Sequence, residues 1–263
     1  ASKRARTTAL ITGASMGIGL ELARQFAMHG HDLILVARHR DLLEAVARKF
    51  EGEHGISAHV IVADLADPEA PQSLFDEVRA ANLEVDFLVN NAGFGLGGEF
   101  SDTDIARELD MIQVNIAAVT HLTKLFLPQM LKRRTGRIMQ VASIAAFQPG
   151  PWMSVYYASK AYLLSFSQAL SEELRNSGIT VTALCPGPTA TNFAETAHMS
   201  NSTPFARGLV ATAEGVAKYG YAAMMRGERI AITSFRDRLL MQAERIMPRA
   251  TVTRIVRLLQ ENR

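Results

Sequence analysis

Cysteine occurs once in this chain, as Cys185. No internal disulfide can form, so nothing points to an oxidising compartment and a reducing cytoplasmic setting is the expectation. Long hydrophobic runs are missing too: no stretch approaches the ~18 apolar residues that a membrane span requires. Residues 1–6 are basic like the start of a secretory signal, but only Ala9, Leu10 and Ile11 follow before Thr12 and Gly13, which reads as a strand. Charge of one sign is scarce, since 28 Lys+Arg against 26 Asp+Glu leaves a net +2, too little to suggest a nucleic-acid partner. The seven histidines form no compact cluster and no cysteine joins them, so no metal site is expected. No repeat, low-complexity tract or linker interrupts the chain. A sequence of this length that is 48% hydrophobic is expected to form one cored domain over residues 1–263.

What is present is an alternation of short apolar runs with longer amphipathic stretches. Candidate strands fall at 8–12, 33–37, 58–63, 87–90, 137–142, 180–184 and 229–233. Between them lie helical periodicities, such as Ile18, Leu22 and Phe26 at i+4 steps, and two longer helices over 105–133 and 153–176. This is the pattern of β-α-β units around a parallel sheet buried on both faces. The predicted class is α/β, a doubly wound parallel sheet of about seven strands flanked by helices. The rhythm changes after Pro186: residues 192–208 are rich in Thr, Ser, Asn and His and read as a mobile covering loop. Residues 236–263 carry seven arginines against Asp237, Glu244 and Glu261 and read as an amphipathic helical tail.

Between the first strand and its helix stands Thr12-Gly13-Ala14-Ser15-Met16-Gly17-Ile18-Gly19. Glycines there permit a tight turn and close approach of backbone to a pyrophosphate, which the helix N-terminus attracts with unpaired N–H groups and its dipole. The same residues contain Gly13-Ala14-Ser15-Met16-Gly17, the pattern of a serine-hydrolase nucleophile elbow. In that fold the nucleophile follows a later strand, so Ser15 is better read as donating to phosphate. Further along, Tyr156 and Lys160 lie four residues apart, on one face of a helix. A phenol with its ordinary pKa of ~10 is a poor base near neutrality. Lowering it by about two to three units takes roughly 3 to 4 kcal/mol, much of which a nearby ammonium can supply. Ser143 closes the fifth strand thirteen residues before Tyr156, where its hydroxyl can reach the same reacting oxygen.

Thr12-Gly13-x-x-x-Gly17-x-Gly19, Asp64-Leu65, Asn90-Asn91-Ala92-Gly93, Asn115, Ser143, Tyr156-x-x-x-Lys160 and Pro186-Gly187 occur in this order. Together they make the chain resemble the short-chain dehydrogenase/reductase family over roughly residues 7–235, with its Rossmann-like fold. The resemblance implies that Tyr156 is the general acid/base and that Lys160 lowers its pKa and binds the nicotinamide ribose. It further implies that Ser143 holds the substrate oxygen and that Asn115 anchors a water linking Lys160 to solvent. Gly13, Ser15, Met16, Gly17, Ile18 and Gly19 would cradle the dinucleotide, and Asp64 and Leu65 would meet its adenine. Asn91, Ala92 and Gly93 would approach its adenosine side, and Pro186, Gly187, Thr189 and Thr191 its carboxamide.

An NAD-preferring site usually ends its second strand with a carboxylate for the ribose hydroxyl. Here Ala37-Arg38 stands instead, and the Arg38 fork suits a 2′-phosphate, so NADP(H) is the expected cofactor. Phe94, Phe147, Trp152 and Phe193 stand in stretches that border the pocket in relatives and suggest an apolar carbonyl or alcohol as the small-molecule substrate. The expectation is therefore an NADPH-dependent carbonyl reductase. Its rivals are an NAD-linked alcohol dehydrogenase, and a dinucleotide-binding sensor or scaffold that does no chemistry. The tail can cover the pocket, pack on another subunit, or touch an anionic membrane surface. Relatives pair their long helices, so a homodimer or homotetramer is expected.

Overall fold

The computed structural model describes residues 6–191, 210–244 and 246–260 of the chain. The expected covering loop at 192–208, and Phe193 with it, lies outside the described residues.

The first half alternates strictly: β1 (Thr8–Thr12), α1 (Gly17–Met28), β2 (Asp32–Ala37), α2 (Arg40–His54), β3 (Ala58–Val62), α3 (Ala70–Ala80) and β4 (Phe87–Asn90). The second half continues with α4 (Ile105–Ile112), α5 (Val119–Arg133), β5 (Gly136–Val141), α6 (Ser154–Glu173) and β6 (Ile179–Cys185). A short pair follows, β7 (Thr189–Ala190) and β8 (Ala211–Thr212), then α7 (Ala213–Arg226), β9 (Ile230–Ile232), α8 (Phe235–Glu244) and α9 (Arg249–Gln260). Every one of the seven expected strands is present in one parallel sheet of order β3-β2-β1-β4-β5-β6-β9.

Period-two alternation explains why both faces are covered. Ala9 and Ile11 of β1, with Leu33 and Leu35 of β2, belong to a core shared with Leu22 and Phe26 of α1. Their neighbours Leu10, Ile34 and Val36 point to the opposite core, with Leu74 of α3 and Phe126 of α5. Strands β1 and β2 are thus apolar along nearly their whole length, which is why they read as continuous hydrophobic runs. The strand order reverses between β1 and β4, so successive crossovers leave toward opposite faces. A crevice opens there at the carboxyl ends of the strands.

Two expected helices come out differently. Residues 105–133 are helical throughout, but Gln113–Ala118 widen into a π-helical turn with Asn115 inside it, a distortion common near functional sites. The tail is two helices rather than one, because Pro248 precedes Arg249 and a proline cannot continue a helix from the preceding turn.

Candidate active site

The glycine loop ends β1 and opens α1 without a side-chain cap: Met16 occupies the cap position, and its side chain makes no capping hydrogen bond. The loop's shape is held from β4. The Asn91 amide nitrogen donates to the Thr12 and Gly13 carbonyls at 2.9 and 3.3 Å. The Thr12 hydroxyl accepts the backbone N–H groups of Asn91 and Ala92, both at 3.0 Å. Gly13 sits at φ +67°, and a Cβ on Gly19 would lie 2.2 Å from the Gly13 carbonyl oxygen. Only glycine is compatible with a turn this close.

The loop forms one end of a cavity of about 1090 Å³. Ser15, Met16, Gly17 and Ile18 line it, as do Arg38 beyond β2, Asp64 and Leu65 after β3, and Asn91, Ala92, Gly93 and Phe94 after β4. Pro186, Gly187, Thr189 and Thr191 line it after β6. Arg38 is exposed and forms no ion pair among the described residues. The Asp64 carboxylate accepts the Ala66 N–H at 3.1 Å, which holds the turn after β3.

At the middle of the cavity stand Ser143, Tyr156 and Lys160. Ser143 follows β5 in extended conformation. Its hydroxyl accepts the Ala145 N–H at 3.1 Å and shares a hydrogen bond with the phenol of Tyr156. Tyr156 and Lys160 sit one turn apart on α6, and the Lys160 Nζ lies 5.7 Å from the centre of the tyrosine ring. That ammonium donates to the Val141 carbonyl at 2.8 Å. Burial pushes it down to about 8. Burial also pushes the Tyr156 phenol well above its ordinary value, while its Ser143 hydrogen bond works the other way. Taking the phenolate out of water disfavours its charged form.

Asn115 is fully buried behind the cavity wall. Its amide donates to the Phe94 carbonyl and the Ser159 hydroxyl, each at 3.0 Å, and its oxygen accepts the Phe94 N–H at 3.2 Å. It ties the strand-end loop to α6 and so spaces Gly93 from Lys160, whose Nζ would come within 3.5 Å of a Cβ at 93.

Two of the expected substrate contacts are placed elsewhere. Phe147 packs against a core that includes Ala142 and Leu163. Trp152 lies with its ring 5.5 Å from the Arg257 guanidinium, so it docks the tail. Residues the sequence reading did not single out take their place. From the tail, Leu240, Met241, Glu244, Val252, Val256 and Gln260 line the cavity, facing Met153 and Tyr157 of the main body. Their only sequence signal was the i, i+3, i+4 spacing of Val252, Ile255 and Val256.

A sheet with this crossover point, with a capless glycine loop and a hydroxyl, a phenol and an ammonium lining one cavity, is that of the doubly wound α/β class. The family model for short chain dehydrogenase matches residues 7–201, and the chain belongs to that family. A very-long-chain 3-oxoacyl-CoA reductase of Anas platyrhynchos is 35% identical over 202 residues. The match covers 74% of this chain and 64% of that protein, so this chain spans less than two thirds of the avian protein's length. The oxidoreductase UcpA of Escherichia coli (strain K12) is 38% identical over 197 residues, 74% of each chain. Among solved structures, a short-chain dehydrogenase from Sphingobium yanoikuyae in complex with NADPH has a TM-score of 0.82 at 32% identity, covering 91% of this chain and 94% of that one. A bulky-bulky ketone specific alcohol dehydrogenase from Comamonas testosteroni has a TM-score of 0.78 at 30% identity, covering 91% and 92%. No helix among the described residues is long and apolar enough to cross a membrane.

Proposed function

We propose that the chain is an NADPH-dependent reductase that converts an apolar ketone or aldehyde to its alcohol. The observation that carries this reading is the Ser143–Tyr156 hydrogen bond with Lys160 one turn behind it, inside a cavity whose far end is the glycine loop. The residues present suit the cofactor. Gly13, Gly17 and Gly19 keep three loop positions clear of side chains, the first turn of α1 offers uncapped N–H groups, and Arg38, without an ion pair among the described residues, stands at the expected 2′-phosphate position. The NADPH held by the Sphingobium yanoikuyae relative supports the same choice. Asp64 and Leu65 would meet the adenine, Asn91, Ala92 and Gly93 the adenosine side, and Pro186, Gly187, Thr189 and Thr191 the carboxamide. When bound, the reduced nicotinamide supplies the hydride.

The chain's own groups supply the rest. Ser143 hydrogen bonds the carbonyl oxygen and orients it against Tyr156, which donates its phenolic proton to that oxygen. Lys160 binds ribose hydroxyls and returns a proton to the phenol, and Asn115 is a positioning residue for both Gly93 and α6. The apolar lining from Phe94, Met153, Leu240, Met241 and Val256 favours a bulky hydrocarbon skeleton, as the ketone preference of the Comamonas testosteroni relative also suggests. The test is Tyr156→Phe. NADPH oxidation against bulky ketones should fall by about 10² to 10⁴-fold, while NADPH fluorescence titration still reports binding. Full turnover in that variant would refute the assignment.

A further inference from the structure

The tail has two faces, and the cavity uses one of them. Met241 of α8 and Val252 and Val256 of α9 are buried, and all three line the cavity. On a helix, a side chain two positions away points about 200° around the axis. Leu239, two before Met241, is 56% exposed, and Arg254 and Leu258, two beyond Val252 and Val256, are exposed too. Phe235, an i+4 step before Leu239 on α8, is 74% exposed, and Ile246, between the two helices, is 86% exposed. Neither these two residues nor Leu239 and Leu258 line the cavity.

Charge is sorted between the same two faces. Residues 236–263 carry seven arginines against three acids, a net of +4 in a chain of net +2, so the rest of the chain is net −2. Arg238, Arg249 and Arg254 are exposed and take part in no ion pair among the described residues. The tail's two described acids turn inward. Asp237 sets its Oδ2 against Gly187, where a Cβ would lie 2.6 Å from it, and Glu244 has its Oε2 buried. Exposed apolar side chains flanked by cations without partners are the pattern of an amphipathic segment lying in the plane of a bilayer. A second copy of the chain is a poorer occupant. In a two-fold contact the face meets itself, and arginines would oppose arginines with no exposed acid among the tail's described residues to answer them.

We propose that the outer face of α8 and α9 docks on an anionic phospholipid surface. Phe235, Leu239, Ile246 and Leu258 enter the acyl boundary, and Arg238, Arg249 and Arg254 meet the headgroup phosphates. The docking involves none of Ser143, Tyr156 and Lys160, so it stands apart from the reductase reading and the two can fail separately.

The test is co-sedimentation of the whole chain with vesicles of phosphatidylcholine alone and of phosphatidylcholine with an equal part of phosphatidylglycerol. Binding to the anionic vesicles should be tighter by about tenfold or more and should weaken severalfold between about 0.1 and 0.5 M salt. Phe235→Ser combined with Leu258→Ser should cut binding by about tenfold or more. Arg249→Gln combined with Arg254→Gln should remove most of the preference for anionic vesicles. Both double variants change exposed side chains, so their circular dichroism and melting temperature should match those of the unaltered chain. Failure of the unaltered chain to bind anionic vesicles, or equal binding to both kinds, overturns the proposal. So does a serine double variant that binds as tightly as the unaltered chain. An assembly that this variant splits in lipid-free sedimentation velocity gives the face to a second copy of the chain and overturns the proposal likewise.

Discussion

Replacing Thr12 by Val tests how the glycine loop is held. The substitution keeps volume and shape at a residue only 1% exposed at the end of β1, so no cavity opens. It removes the hydroxyl that accepts the N–H groups of Asn91 and Ala92 at 3.0 Å each. A donor left without its acceptor costs about 1 to 3 kcal/mol, and because both residues are only partly buried the lower half of that range applies. The sum is about 2 to 4 kcal/mol. For a chain of this size that lowers the melting temperature by roughly 4 to 16 °C. Thr12→Ser keeps the hydroxyl and loses one methyl, for about 1 kcal/mol. Urea denaturation of the three proteins measures both, and NADPH titration should show weaker binding for the valine variant, whose loop is then held only by the Asn91 amide. Equal stabilities of wild type and valine variant, or a serine variant as unstable as the valine one, would refute the reasoning.

Arg38→Leu should weaken NADPH by about ten- to a hundredfold and leave NADH little changed, and fluorescence titration with both cofactors reads this directly. Lys160 gives a pH signature. Its folded pKa of about 8 lies below its ordinary 10.5, so the unfolded chain binds more protons between those values. Stability relative to Lys160→Met should therefore rise from pH 8 upward, approaching about 3 kcal/mol near pH 10.5; denaturation from pH 7 to 10 that showed a flat or falling difference would contradict the buried ammonium. Ile105, Leu109 and Ile112 expose apolar side chains along one face of α4. We expect a second copy of the chain to cover them, so sedimentation velocity should give a dimer or larger assembly that Leu109→Glu dissociates.

The strands were legible because a parallel sheet covered on both faces demands unbroken apolar runs, and such runs are visible in any window of four to six residues. The glycine loop was legible for a similar reason: a turn that brings a helix start against β1 leaves no room for a Cβ at Gly19. Trp152 and Phe147 were misleading, since an aromatic residue near a site in sequence has several directions to face. One went to the tail and the other to the core. The π-turn around Asn115 left no trace in the periodicity, because its neighbours keep the apolar pattern of an ordinary helix.

The positions of the strands along the chain, the glycine turn and the phenol-to-ammonium spacing all follow from the chain read locally, since each depends on backbone period over a few residues. The tertiary structure alone decided that Gln260 meets a tyrosine 103 positions earlier and that Met241 and Val256 of the tail line the cavity. It also decided that burial pushes the Tyr156 phenol up. Those outcomes depend on which surfaces exclude water once distant segments pack, and no short window of sequence contains that information.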